Sequence, residues 1–311
     1  MAVEATHFTD PGCPWAYSAS PALAALEWRY GDQLHWRLVT IGLTEDAGQY
    51  LARGYTPLRQ VHGYMMFRDR FGMPFSTEPR ARISATARAC RAIVATRLQA
   101  PALEHAVFRA LQFGNFTDSV VFDEDADLLR ALTRVEGLDA GAVLAALGSP
   151  EVTEAYQRDR AEARTAAGGP TEFQGKAADS DGAVRYTAPS LIFEQDGRRL
   201  EAGGFQTIEA YDVIIANLDT SLERTPPPES PLPALERFPD GLTTQEVAAV
   251  MAGSLQDPDR LAAEQALVEL ACAGTVARLP LGDDALWRVS RPAAAADGAG
   301  SARAARSPAV A

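Results

Sequence analysis

The sequence predicts an α/β fold, a mixed sheet carrying a helical insertion, followed by a small second unit. Three observations predict it. A strand–helix–strand run opens the chain, the stretch after Leu43 turns helical in its periodicity, and Asp196-Gly197 between two apolar runs marks an antiparallel hairpin.

Residues 3–9 are short and apolar and stop at Asp10-Pro11-Gly12, which reads as a strand delivering the chain to a turn. From 14 to 30, Trp15, Leu23, Leu26 and Tyr30 recur at roughly helical spacing, and Pro21 should bend that helix. Gly31-Asp32 ends it. Residues 34–43 alternate and become β-branched, a second strand. Two strands joined by one helix form a parallel pair with a right-handed crossover. Ala-rich runs at 79–99, 101–113, 123–135, 140–147 and 151–167 each carry apolar residues three or four apart and read as helices. Asp139 and Ser149 sit where N-caps belong, and Gly114 and Gly137 where helices stop.

Residues 168–182 are polar and glycine-rich, a loop or flap. Strands at 187–195 and 198–202 flank the Asp196-Gly197 turn, and a last helix runs from Thr207 to about Leu218. Strand–helix–strand, helical block, hairpin and helix is the outline of a thioredoxin-type fold with an insertion at about 45–168, the domain spanning 1–222. A Pro-rich linker covers 223–235, and its stretch 225–233 should be neither helix nor central strand. Residues 236–291 form a separate unit. Thr243 caps a helix through Met251, Pro258 opens a longer one through Ala273, and 276–279 with 286–289 form a hairpin about Gly282-Asp283-Asp284. This order resembles a winged-helix module. Residues 292–311, rich in Ala, Gly, Ser and Arg, read as a disordered tail.

The formal net charge of −12 argues against a general affinity for nucleic acid or anionic lipid. No stretch approaches a membrane span, and residues 1–6 lack the basic and apolar regions of a secretory signal, so a cytoplasmic location is expected. Three cysteines, odd in number and far apart, suit a reducing compartment and have no zinc-site spacing. The histidines His7, His35, His62 and His105 have no metal-ligand or triad spacing either.

The chemistry concentrates at Asp10-Pro11-Gly12-Cys13-Pro14-Trp15. Cys13 stands at a helix N-terminus, where amide N–H groups and the helix dipole stabilise a thiolate. It also reads as a small residue filling the start of a helix. This run after a first strand, the helical insertion, and Ala188-Pro189 opening the third strand resemble the DsbA-like branch of the thioredoxin superfamily. Within it the likeness is to FrnE-type proteins and their relatives, the hydroxychromene-carboxylate isomerases and kappa-class glutathione transferases. The resemblance covers roughly residues 3–220.

It implies that Cys13 is the attacking cysteine of a Cys-Pro-Trp-Cys motif whose second cysteine is here Ala16, leaving monothiol exchange or chemistry with a low-molecular-weight thiol such as glutathione or mycothiol. No tightly bound cofactor is implied. It implies too a cis peptide between Ala188 and Pro189 facing Cys13, with Pro14, Trp15, Ala188, Pro189, Gly204, Phe205 and Gln206 contacting the thiol or disulfide substrate. The alternatives are a thiol-dependent isomerase or transferase, and a binding protein that lost turnover.

Other residues carry weaker signals. Cys90 shares a helix face with Ile83, Ala87 and Val94 and reads as core, with a distant resolving thiol as the alternative; Cys272 reads as buried packing. His7 precedes Cys13 on the first strand and could face a thiolate. Arg59, Arg68 and Arg70 surround Tyr64–Phe67 as a solvated helix face or the entrance for an anionic thiol. In the C-terminal unit Arg260 is outnumbered by Asp257, Asp259, Glu264 and Glu269, which favours dimerisation or a protein partner over DNA.

Overall fold

A computed structural model describes residues 2–180 and 182–290; the expectation for 292–311 lies outside them. Strand β1 (Val3–Thr9) runs parallel to β2 (Leu34–Thr40), pairing Val3 with Leu34 and Thr9 with Thr40. The connection is α1 (Pro14–Ser18) and α2 (Ser20–Tyr30), jointed at Ala19. Pro21 therefore begins a second helix instead of bending one, since the first-turn N–H groups of a helix have no intrahelical partner.

The insertion comprises α3 (Ala47–Ala52), α4 (Pro57–Phe71), α5 (Ala87–Gln99), α6 (Glu104–Thr117), α7 (Asp125–Leu132), α8 (Ala140–Ala146) and α9 (Pro150–Ala163). Ile93, Leu111, Phe122, Leu128 and Tyr156 are among the fully buried side chains of its core. Two expectations are corrected here. Helix α5 starts at Ala87, not 79, because Thr86 is tied to the loop after β2: its N–H reaches the Thr44 carbonyl at 3.3 Å and its hydroxyl reaches Asp10 Oδ2 at 2.9 Å. Gly114 lies inside α6, where a Cβ would approach Val120 and Ala131 at 3.1 and 3.2 Å, so it serves close packing and not a stop. Asp139 and Ser149 do cap α8 and α9, accepting from Ala142 and Val152 N–H. The insertion is fastened to β2 through buried Asp159, which accepts from both the N–H and the hydroxyl of Thr40 at 2.9 Å and pairs with Arg97.

The glycine-rich stretch, expected as a loop or flap, holds a short helix α10 (Pro170–Phe173) and β3 (Ala177–Ala178), which pairs with β4 (Arg185–Tyr186) beyond it. Strand β5 (Ser190–Gln195) pairs antiparallel with β1 and with β6 (Arg198–Ala202), giving the order β2-β1-β5-β6. Asp196 and Gly197, with φ of 51° and 76°, make the type I′-like turn that the hairpin requires. Helix α11 (Ile208–Leu218), capped by Thr207, packs beside α2, and the buried Arg29–Asp212 ion pair joins them. This is a thioredoxin-like mixed sheet with a helical insertion.

The C-terminal unit is α12 (Pro231–Arg237), β7 (Leu242–Thr243), α13 (Thr244–Met251), α14 (Arg260–Cys272), β8 (Val276–Leu281) and β9 (Asp284–Val289), with β9 central. Helix α12 begins within the supposed linker: Pro231 and Pro233 occupy its first turn, where a missing N–H costs nothing. The stretch before it lies along α2, Thr225 N–H bonding the Arg29 carbonyl at 2.8 Å and Trp28 Nε1 bonding Pro226 O at 2.9 Å. The unit is also joined to the rest through a shared core. Ala24 and Trp28 of α2 pack with Leu235, Val247, Leu267 and Trp287, while Leu281 and Leu286 pack with Tyr17, Phe75 and Phe116. Glu246, itself at zero exposure, completes the capping box with Thr243, pairs with Arg109 of α6, and accepts from Ser20 Oγ at 2.6 Å. Among the described residues no helix is long and apolar enough to cross a membrane.

Candidate active site

Strand β1 delivers Asp10 to the turn that presents Cys13. Asp10 is fully buried; its Oδ1 accepts from Gly12 N–H at 2.8 Å, and Oδ2 from Leu43 N–H at 2.8 Å, Thr86 Oγ1 at 2.9 Å and Cys90 Sγ at 3.5 Å. Burial raises the pKa of this carboxyl in spite of those donors. A Cβ on Gly12 would lie 2.5 Å from Thr86 Cγ2, so only glycine fits the turn. Cys13 N–H then closes it on the Asp10 carbonyl at 3.1 Å.

Cys13 occupies the N-cap of α1 without a side-chain cap hydrogen bond, the amides of Ala16 and Trp15 lying near its sulfur. The thiol donates to the carbonyl oxygen of Ala188 at 3.2 Å, and the Ala188-Pro189 peptide is cis, as the resemblance implies. Burial works against the thiolate expectation. The side chain is buried, which pushes the thiol up to about 12; the Asp10 charge adds to this, and the two amides with more distant Arg185 only partly oppose it. A helix of five residues jointed at Ala19 offers little dipole to set against that desolvation.

Beside the thiol lies an aromatic surface. Trp15 is 43% exposed, its ring 4.9 Å from Phe67, 5.7 Å from Phe71 and 5.8 Å from Phe205. Phe205 comes from the turn before α11, and Phe67 and Phe71 from α4 of the insertion. Gly204 and Gln206 are committed internally: Gly204 N–H donates to Ser190 Oγ at 2.9 Å, and the Gln206 amide donates to the Gly203 carbonyl at 2.7 Å. Of the sequence-derived candidates, Cys13, Pro14, Trp15, Ala188, Pro189 and Phe205 thus gather around one site, while Gly204 and Gln206 shape the turn that carries Phe205.

Reading the sequence missed Phe67 and Phe71 as neighbours of Trp15, and Asp10 with Thr86 as the frame of the Cys13 turn. Tyr50 was missed too; burial and the nearby Asp10 and Cys13 hold its hydroxyl protonated. The acidic residue directly before Pro11-Gly12 was the one available signal. Cys90 is buried as expected, yet its thiol points to Asp10, directly behind the site. Cys272 is exposed, not buried, because it ends α14 on the outward side. His7 does not face the thiol but a cavity lined also by His105, and burial and that neighbour lower its pKa to about 3. Arg68 pairs with Asp69 and Asp283, and Arg70 stacks over Phe71.

Residues 6–188 match the profile of the DSBA-like thioredoxin domain, more than half of the chain. The chain belongs to the DSBA-like thioredoxin domain family. Two solved structures with TM-scores above 0.5 share the fold. A Nitrosomonas europaea protein provisionally assigned as a protein disulfide isomerase is 17% identical, with 70% of this chain and 97% of that one covered at a TM-score of 0.54. A provisionally assigned DsbA oxidoreductase from Streptomyces coelicolor is 17% identical, with 72% and 92% covered at 0.53. The cytosolic disulfide reductase DsbM of Pseudomonas aeruginosa is 22% identical, with 70% and 97% covered at 0.47. No curated protein matches the sequence. The family is one of thiol–disulfide oxidoreductases, and its matched region ends at the Cys13–Ala188 contact, leaving the C-terminal unit outside it.

Proposed function

We propose that this DsbA-like chain is a monothiol oxidoreductase that exchanges disulfides through Cys13 with a low-molecular-weight thiol, in the cytoplasm. The observation that supports it most is a thiol 3.2 Å from the carbonyl before a cis proline, with alanine and not a second thiol three residues on. In the first step Cys13, once its proton has left to water, attacks one sulfur of a disulfide R–S–S–R′. The bond Cys13–S–S–R forms and R′–S⁻ leaves. A dithiol enzyme would then use its own second thiol. Here a thiolate R″–S⁻ from solution attacks the R sulfur, releases R–S–S–R″ and returns Cys13–S⁻. Trp15, Phe71 and Phe205 hold the apolar part of R. Ala188 offers its backbone to the disulfide when the Cys13 hydrogen bond is given up. The C-terminal unit, read as winged-helix-like, serves contact with a protein partner or a second copy.

Incubation with glutathione disulfide and with mycothiol disulfide, followed by peptide mass spectrometry beside a Cys13→Ser control, tests this. A mixed disulfide persisting on Cys13 is expected. Modification of exposed Cys272 with none on Cys13 up to about pH 9 would remove the proposal. One observation favours a second reading. A thiol held protonated is a hydrogen-bond donor, and Cys13 could then orient the sulfur of a bound thiol, as in a thiol-dependent isomerase or transferase, without attacking it. That reading gives no covalent adduct.

A further inference from the structure

Two helices carry exposed apolar faces that the Cys13 site does not use, and the charges around those faces are opposite. On α4, Leu58, Met65 and Met66 share one side, with Leu58 60% and Met66 73% exposed. Leu51 of α3 is exposed as well, and Arg59 Nη1 ties the two helices by bonding the carbonyls of Arg53 and Gly54 at 3.2 Å. In a chain of net charge −12 this face is basic. Arg53, Arg59 and Arg70 have no carboxylate partner among the described residues, while Asp69 is already paired with Arg68.

Helix α14 has the complementary composition. Leu261, Gln265, Val268 and Cys272 are spaced by four, three and four residues, which lays one stripe along its outward side, and Leu261 is 67% exposed. Leu255, in the loop before it, is 84% exposed and held at φ 61°, a strained backbone for leucine. Asp257 ahead of the helix and Glu269 on it pair with no cation among the described residues, whereas Glu264 is engaged by Arg260. Grouped exposed apolar side chains mark interaction surfaces where scattered ones do not. The two helices also match in length, 15 and 13 residues, about 22 and 20 Å.

We propose that a second copy of this chain covers both faces, α14 of one copy lying on the α3–α4 face of the other. Arg53, Arg59 and Arg70 then meet Asp257 and Glu269 around an apolar centre, with charge complementarity setting the pairing. One helix pair of this length covers less than a stable interface buries, so the contact is made twice, reciprocally, in a two-fold dimer. This rests on the reading of the C-terminal unit as a contact surface and not on the chemistry of Cys13. Sedimentation equilibrium of the full chain from about 1 to about 100 μM should show monomer and dimer in exchange. Iodoacetamide labelling of Cys272, which lies in the covered stripe, should slow as the dimer fills. Arg59→Glu with Arg70→Glu, and separately Asp257→Arg with Glu269→Arg, should each weaken self-association about tenfold or more, because like charges then face one another. All four positions are exposed, so the fold is kept. An equimolar mixture of the two variants should dimerise again, since reversed face matches reversed face and native matches native. A chain monomeric at every concentration, or a mixture that stays monomeric, overturns the proposal. A dimer that neither reversal weakens overturns it too; slowed Cys272 labelling in that dimer would still support the C-terminal unit as the contact surface, through another face.

Discussion

Titrating Cys13 is the sharpest test of the site, because helix-terminus reasoning and burial predict opposite outcomes. Burial lifts the thiol to about 12 from its ordinary 9.0. At neutral pH the thiolate fraction is then about 10⁻⁵ instead of about 10⁻², roughly a thousandfold smaller. The assay is iodoacetamide labelling from about pH 6 to about pH 10, with each cysteine followed separately by peptide mass spectrometry. The Cys13 rate should climb about tenfold per pH unit with no plateau, since the thiolate is the reacting species. The native state holds this proton more tightly than the unfolded chain does. Its stabilising contribution is therefore complete below pH 9.0 and is lost as pH rises from there towards 12, at about 1.4 kcal/mol per unit. An inflection below about pH 8 would refute the reasoning and show that the Trp15 and Ala16 amides outweigh desolvation.

Ala16→Cys places a second thiol at the position that is 2% exposed behind Cys13, and the mixed disulfide with glutathione should collapse to an internal disulfide, read as loss of the adduct mass. Glu246→Gln leaves Arg109 buried without its counter-ion and should cost about 3–5 kcal/mol in urea unfolding. Burial alone would raise the Glu246 pKa, but Arg109, Ser20 and the Thr243 N–H hold it below the ordinary 4.5, so the native chain should lose this contribution as pH falls below that value and the Gln variant should not. Gly12→Ala drives a methyl into Thr86 and should destabilise by about 1–3 kcal/mol while loosening the Cys13 turn, seen as faster Cys13 labelling.

The parts of the fold that were legible are those set by local chemistry. Asp196-Gly197 demanded a two-residue turn, Thr207 and the Thr243–Glu246 box announced helix starts, and Asp10-Pro11-Gly12 ended the first strand, each a rule acting within four residues. What was illegible depends on partners far along the chain. Nothing local says that Thr86 reaches back to Asp10, so the start of α5 was placed too early. Trp15 becomes part of a surface only once α4 and the Phe205 turn are brought to it. The thiolate expectation has the same blind spot: the helix terminus is visible in sequence, whereas the desolvation that opposes it comes from Ala188, Tyr186 and Ile192, which pack beside Cys13 from the far end of the domain.

The C-terminal unit raises the same point about function. Ser20 opens α2 two residues after α1 ends, and its hydroxyl is held by Glu246 from 226 positions away. Tyr17, within α1, donates to Pro74 O at 2.9 Å and stacks on Phe116 at 4.7 Å, in the cluster that Leu281 and Leu286 complete. The helical joint carrying Cys13 is thus gripped from both sides by contacts that include the added unit. If that grip keeps the thiol buried, Glu246→Gln should speed Cys13 labelling at fixed pH, in urea-free buffer where the chain remains folded. A variant with a lowered urea midpoint but unchanged Cys13 labelling would mean that the unit stabilises the domain without governing its cysteine.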